Sequence, residues 1–222
     1  MGWLIFKRLD NCIKRSVTLK YFKKKYTKRT LALLMVVVLV IVAILLLRYA
    51  GVYLLVNDPL PKKLDLIFTF AGENARNHYS EDLLQQYPDA HWLLSDYKDG
   101  YVRILRKDNF DMSRVTVVDT CKNTYSEVLA LKEYLQLSGE NILREHQKPL
   151  QIGLISGPYH MRRIQLMTKK AIRSSDFNIY YLPVPLDKYN WTSDMFKTWW
   201  KSPVYGVVST ETLKIVYFKL FK

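Results

Sequence analysis

Leu64-Asp-Leu-Ile-Phe-Thr-Phe70 is an apolar run rich in β-forming residues that stops at Ala71-Gly72. Residues 74–87 follow as a polar stretch in which Tyr79, Leu83, Leu84 and Tyr87 recur at helical spacing, and Pro88 ends it. A strand, a short turn and a helix in that order make half of a βαβ unit.

The pattern recurs towards the C-terminus. His91-Trp-Leu-Leu-Ser95 reads as a second strand, and Tyr101-Val-Arg-Ile-Leu105 fits either a short strand or a helix. Arg114-Val-Thr-Val-Val118 is a third strand, Asp119 to Thr124 a loop, and Tyr125 to Leu137 a helix with Val128, Leu131 and Leu135 on one side. Gln151 to Ile155 reads as a buried strand, followed by Ser156-Gly-Pro-Tyr-His160 and a basic helix reaching about Ser174. Asn178 to Leu182 is the next strand, closed by Pro183-Val-Pro185, and Ser209 to Phe221 is helical. Strands alternating with helices predict an α/β fold: a Rossmann-like parallel sheet with helices on both faces.

Upstream the composition changes. Residues 1–30 hold ten Lys and Arg against one acid, Asp10, for a local charge of +9, which is most of the +14 carried by all 222 residues. Leu31 to Leu47 then run seventeen residues without a polar side chain. At 1.5 Å per residue that is about 26 Å, and Arg48 to Val56 can complete a bilayer crossing of about 30 Å. A cleaved leader is disfavoured, because its apolar region is shorter and Arg48-Tyr-Ala-Gly51 is a poor cleavage site. The expected organisation is a basic cytoplasmic segment 1–30, one transmembrane helix 31–56, a two-proline linker 57–63 and an extracytoplasmic domain 64–222. Because the basic block abuts the apolar run, it reads as a topology signal, and no nucleic-acid partner is expected. Cys12 falls on the inner side and Cys121 stands alone outside, so no disulfide within the outer domain is expected.

Ligands of open parallel sheets bind beyond the carboxyl ends of the strands. Those ends hold Gly72–Arg76, Ser95–Asp96, Asp119–Thr124 and Ser156–Arg163. Ser156-Gly-Pro-Tyr-His-Met-Arg-Arg163 brings a helix start together with His160, Arg162 and Arg163, which suits a phosphate or carboxylate clamp with His160 as acid or base. It equally suits a helix capped by His160 with solvated arginines. Asn123 or Thr124 can cap the helix that follows, and Thr124 with Glu127 has capping-box spacing. Dinucleotide, Walker and nucleophile-elbow motifs are missing, and four scattered histidines give no metal-ligand spacing. Neither metal nor cofactor is therefore expected. Trp191, Trp199, Trp200, Tyr205, Tyr217 and Phe218, mixed with Lys197, Lys201, Lys214 and Lys219, suit either a lipid headgroup surface or ordinary core packing.

Over residues 64–190 the order of these pieces resembles the SanA/ElyC/YdcF family of bacterial envelope proteins. The resemblance rests on Ser156 to Arg163 as a small-residue, aromatic, His-x-x-Arg signature, on Asn123-Thr124-Tyr125-Ser126-Glu127 opening a helix, on Arg76 after the first strand and on Pro183-Val-Pro185. The chain departs from the family at Ala71-Gly72 in place of a glycine pair, at Ser95-Asp96-Tyr97 in place of Ser-Gly-Gly, and at Glu127 in place of asparagine. The resemblance implies a Rossmann-like domain anchored in the bacterial inner membrane and facing the periplasm, with a role in envelope integrity or in peptidoglycan and polyprenyl-carrier metabolism. Three functions follow as expectations. The first is binding of a polyprenyl-phosphate or another anionic envelope metabolite by Arg76, Asn123, Thr124, Ser156, His160 and Arg163. The second is catalysis on that ligand through His160, and the third is a scaffold for other envelope proteins.

Overall fold

The computed structural model describes residues 2–96, 100–118, 123–137, 149–172 and 176–221, with 2–26 traced by backbone alone. The loop 119–122 with Cys121, Tyr97 and the expected end of the basic helix at Ser174 lie outside the described residues. The elements are α1 (Gly2–Leu54), β1 (Leu66–Thr69), α2 (Asn74–Gln86), β2 (His91–Ser95), α3 (Val102–Lys107), β3 (Val115–Val118), α4 (Thr124–Leu137), β4 (Leu150–Ser156), α5 (Met161–Ala171), β5 (Phe177–Pro183), α6 (Ser193–Lys197) and α7 (Tyr205–Phe221).

The five strands form one sheet in the order β3-β2-β1-β4-β5, and every neighbouring pair is parallel. Phe68 pairs with Leu93 on one side and Leu154 on the other, at the centre of the sheet. Parallel strands need crossovers, the crossovers cover both faces, and so central strands must be apolar on both sides. The two-residue period sorts them. Leu66, Phe68, Phe70, Leu93, Ile152 and Leu154 pack with Val128, Leu131 and Leu135 of α4 and Met161, Ile164 and Met167 of α5. Ile67, Trp92, Leu94 and Ile155 pack with Leu83 and Leu84 of α2 and Val102 and Leu105 of α3. The α/β fold with helices on both faces is therefore as read from the sequence. A buried chain of polar contacts seats α2: Trp92 Nε1 donates to Thr69 Oγ1 at 2.8 Å, which lies 2.5 Å from Ser80 Oγ.

The ambiguous stretch after β2 is helical for a local reason. Asp96 Oδ2 accepts the backbone N–H groups of Tyr101 at 2.8 Å and Val102 at 2.9 Å, satisfying donors that a strand would have paired elsewhere. The C-terminal helix begins at Tyr205, ahead of the Ser209 start suggested by periodicity.

Within α1, Thr27–Leu54 is long and apolar enough to cross a membrane, with a mean hydropathy of 3.4 over its most apolar window, and every side chain from Leu31 to Leu47 is exposed. The chain divides into two compact units, 1–48 and 49–222. The second begins ahead of the 57–63 segment that composition marks as a linker, because the end of α1 carries core residues. Leu54 is fully buried in a third cluster with Phe196, Trp199, Val204, Val208 and Ile215. The expected linker is fastened too: Asp58 N–H donates to Tyr181 O at 3.0 Å, Asp58 Oδ2 accepts Tyr181 N–H at 2.8 Å, and Tyr87 Oη donates to Pro61 O at 2.7 Å. The two bonds to Tyr181 occupy backbone groups of the edge strand β5 that would otherwise be open to another chain.

Gly51 marks the tightest point of that third cluster. A Cβ there would run into the Phe196 carbonyl oxygen and come within 2.8 Å of Trp199 Cδ1. Gly51→Ala is expected to cost about 1–3 kcal/mol through overpacking against backbone that cannot yield. Thermal unfolding of the purified full chain in detergent measures it, and an unchanged Tm would show that the end of α1 is not seated as described.

Candidate functional site

The sheet reverses direction of growth between β1 and β4, so the carboxyl ends of those strands open a crevice. Ser156 closes β4 there, and Gly72 and Arg76 follow β1. Gly72 has φ of +145°, and a Cβ on it would stand 2.7 Å from Arg76 Nη1. Glycine is thus required both by the backbone and by the guanidinium lying over it. Arg76 is buried; its Nη1 donates to Ala71 O at 2.5 Å, and its Nε has no partner. Ser156 Oγ is likewise buried without a partner. Buried polar atoms are nearly always paired, so the unpartnered Arg76 Nε, near the start of α2, and Ser156 Oγ, at the end of β4, single out this edge.

Three carboxylates and three cationic or imidazole groups share the rim. Burial works to raise the pKa of Glu73, but hydrogen bonding by Tyr159 and Tyr189, with Arg76 and His160 nearby, holds it below the ordinary range; Tyr159 Oη donates at 2.6 Å. Burial pushes Glu127 up, against the pull of the Ala71 N–H at 2.7 Å, Ser95, Arg76 and Arg163. Glu211, from α7, is also desolvated, yet His160 and Arg163 outweigh this and bring it down to about 2.

His160 and Arg163 are brought together, one helical turn apart at the start of α5, and both meet Glu211. Arg163 Nε donates to Glu211 Oε2 at 2.8 Å, while Lys214 Nζ reaches Oε1 at 2.8 Å. His160 Nδ1 lies 3.2 Å from Glu211 Oε2 and 3.1 Å from Arg163 Nη2. One nitrogen cannot donate to the first and accept from the second, so the tautomer selects the bond. Burial lowers the His160 pKa, against the raising effect of Glu211 and with Arg76 and Arg163 adding to the fall, so the ring is neutral at pH 7. His160 makes no side-chain capping bond to α5.

Asn123 caps α4: its Oδ1 accepts the N–H groups of Tyr125 and Ser126 at 3.0 Å each, and Ser126 Oγ accepts the Asn123 N–H at 3.0 Å. The capping box suggested for Thr124 and Glu127 does not form, because Glu127 turns inwards to the Ala71 N–H. Asn123, Thr124 and Arg163 meet at one cavity of about 540 Å³, lined also by Met167, Lys214 and Phe218. Arg76 and Ser156 are not among its lining and stand instead after β1 and at the end of β4. Arg162 turns away, its Nε donating to Tyr53 O at 2.7 Å.

Glu211 is the rim residue that the sequence does not single out, while Glu73, Tyr159 and Lys214 fall in segments it marks without a role of their own. Glu211 left a trace: it is the sole acid in α7, set in an otherwise apolar and basic helix. Among the described residues no group of three His, Cys, Asp or Glu side chains is placed to hold a metal ion. The chain matches no known protein family, no curated protein and no solved structure.

The two buried carboxylates respond to pH with opposite signs. Glu127 holds its proton more tightly folded than unfolded, so its ionisation opposes folding and stability falls as pH rises from about 4.5 through the raised value. Glu127→Gln keeps an acceptor for Ala71 and should melt no lower than the parent at about pH 7, the difference vanishing below about pH 4.5. Glu211 contributes stability fully present above about 4.5 and lost as pH falls through about 2. Glu211→Gln strips Arg163 of its partner and should cost about 3 kcal/mol at pH 7. Melting curves of the three proteins across pH check both signs.

Proposed function

We propose that this chain is a single-pass envelope factor of the SanA/ElyC/YdcF kind, anchored in a bacterial inner membrane with a cytoplasmic N-terminus and an outer α/β domain. Its ligand is a phosphorylated amphiphile of the polyprenyl-phosphate class, held in the cavity between α4, α5 and α7. That cavity carries this reading. Its walls are Met167, Leu213, Tyr217 and Phe218, which suit a hydrocarbon chain, and its polar end holds Asn123, Thr124, Arg163 and Lys214, whose two cations suit a phosphate. A purely polar metabolite would leave the apolar walls without a role, and a neutral lipid would leave the cations without one.

A second reading, catalysis on the same ligand, is favoured by the contact of His160 with Glu211. A carboxylate at Nδ1 orients an imidazole and stabilises it when it gains a proton, the arrangement a general base needs.

Replacing Arg163 alone would strand Glu211, so the informative variant neutralises the pair, Arg163→Gln with Glu211→Gln, together with Lys214→Gln. Native mass spectra of the full-length protein extracted from bacterial membranes are expected to carry a bound anionic lipid mass that is lost at least tenfold in this triple variant. Equal retention by both folded proteins overturns the cavity as the binding site. Turnover of a polyprenyl phosphate by the parent that disappears in His160→Ala, with lipid binding kept, distinguishes the catalytic reading.

A further inference from the structure

α7 is apolar on two sides. Val208, Ile215 and Phe218, with Glu211 among them, face the interior and are buried. Leu213, Val216, Tyr217, Leu220 and Phe221 occupy positions i, i+3, i+4, i+7 and i+8 on another side, and Leu213, Leu220 and Phe221 are 70%, 70% and 68% exposed. One such side chain in water is ordinary; five in a continuous helical stripe are a surface that something covers. The charged residues of the helix besides Glu211 are Lys214 and Lys219, both basic.

The position of the stripe says what covers it. Lys219 Nζ stands 5.8 Å from the ring centroid of Tyr53, and Arg162 lies 4.4 Å over the same ring while binding its carbonyl oxygen. Tyr53 belongs to the last turn of α1, where Tyr49, Val52 and Tyr53 are themselves exposed. The stripe therefore continues, through Lys219 and Arg162, from the point at which the apolar helix enters the domain. Apolar side chains for the acyl boundary, lysines and an arginine for lipid phosphates, and tyrosines at the headgroup level are the composition of an in-plane interfacial helix.

We infer that α7 is a second membrane contact: it lies along the outer surface of the bilayer that α1 crosses, with Leu213, Val216, Tyr217, Leu220 and Phe221 sunk into the acyl boundary and Lys214, Lys219 and Arg162 on anionic headgroups. This inference rests on α1 being a membrane anchor. Since Leu213 and Tyr217 also line the cavity, docking would open that cavity directly to lipid rather than to water.

The test uses the full chain with Cys12→Ser and Cys121→Ser, in nanodiscs of phosphatidylethanolamine and phosphatidylglycerol. A nitroxide is placed at Val216→Cys, Leu220→Cys, Val40→Cys or Glu133→Cys, and its collisions with oxygen and with a water-soluble nickel chelate are compared. Oxygen is expected to exceed the chelate at 216, 220 and 40, with the reverse at 133. Water-like values at 216 and 220 with a lipid value at 40 overturn the docking and leave the anchor standing. Water-like values at 40 remove the anchor and the inference with it. Dipolar broadening between labels at 216 without an oxygen preference assigns the stripe to a second copy of this chain, and overturns it too.

Discussion

Arg163 and Glu211, 2.8 Å apart and almost wholly shielded from water, join the start of α5 to the middle of α7. A buried charge without its partner is costly, so neither helix can shift along the other without exposing an ion to a low-dielectric surrounding. The arrangement of the rim follows from that pair. It sets Glu211 against His160 Nδ1, fixes Lys214 on the other carboxylate oxygen, and holds α7 at the spacing from α4 that leaves a cavity between them. Because Glu211 already neutralises Arg163, an anion arriving at the cavity competes with a resident carboxylate, and Lys214 is the cation best able to change allegiance.

The carboxylates at the rim show how a charged side chain can serve as backbone scaffolding. Asp96 follows β2, and Glu127 lies in the first turn of α4. Each accepts backbone N–H groups: Asp96 those that open α3, and Glu127 that of Ala71 in the loop after β1. The loop after β1 is then locked from two directions, by Glu127 on its N–H and by Arg76 on its carbonyls, with Gly72 left no room for a side chain. Such a loop is pre-shaped, which suits recognition of one ligand geometry better than adaptation to several.

A helix buried on one side and apolar on another has no net amphipathic signal, and that conceals its role. Averaged around its axis, α7 resembles the core helix of a larger protein. Only the division between Val208, Ile215 and Phe218 inside and Leu213, Val216 and Leu220 outside reveals two apolar surfaces, one buried and one exposed. The end of α1 behaves comparably: its residues read as the continuation of an apolar span, yet Gly51 and Leu54 are as much part of the domain core as any strand residue.

The alternation of apolar strands with amphipathic helices was enough to determine the α/β class and the strand positions, because burial on both faces of a parallel sheet imposes its period on the sequence itself. The long apolar helix was equally legible, since seventeen successive apolar side chains leave no polar face to read otherwise. Tertiary structure alone decided which side chains meet. Arg163 and Glu211 are separated by 48 positions, Ala71 and Glu127 by 56, and Tyr159 and Glu73 by 86. No local pattern records such pairings, for they arise only when strands assemble in the order β3-β2-β1-β4-β5. The same assembly separated Arg76 and Ser156 in the crevice from Asn123, Thr124 and Arg163 at the cavity, a division that linear spacing does not contain.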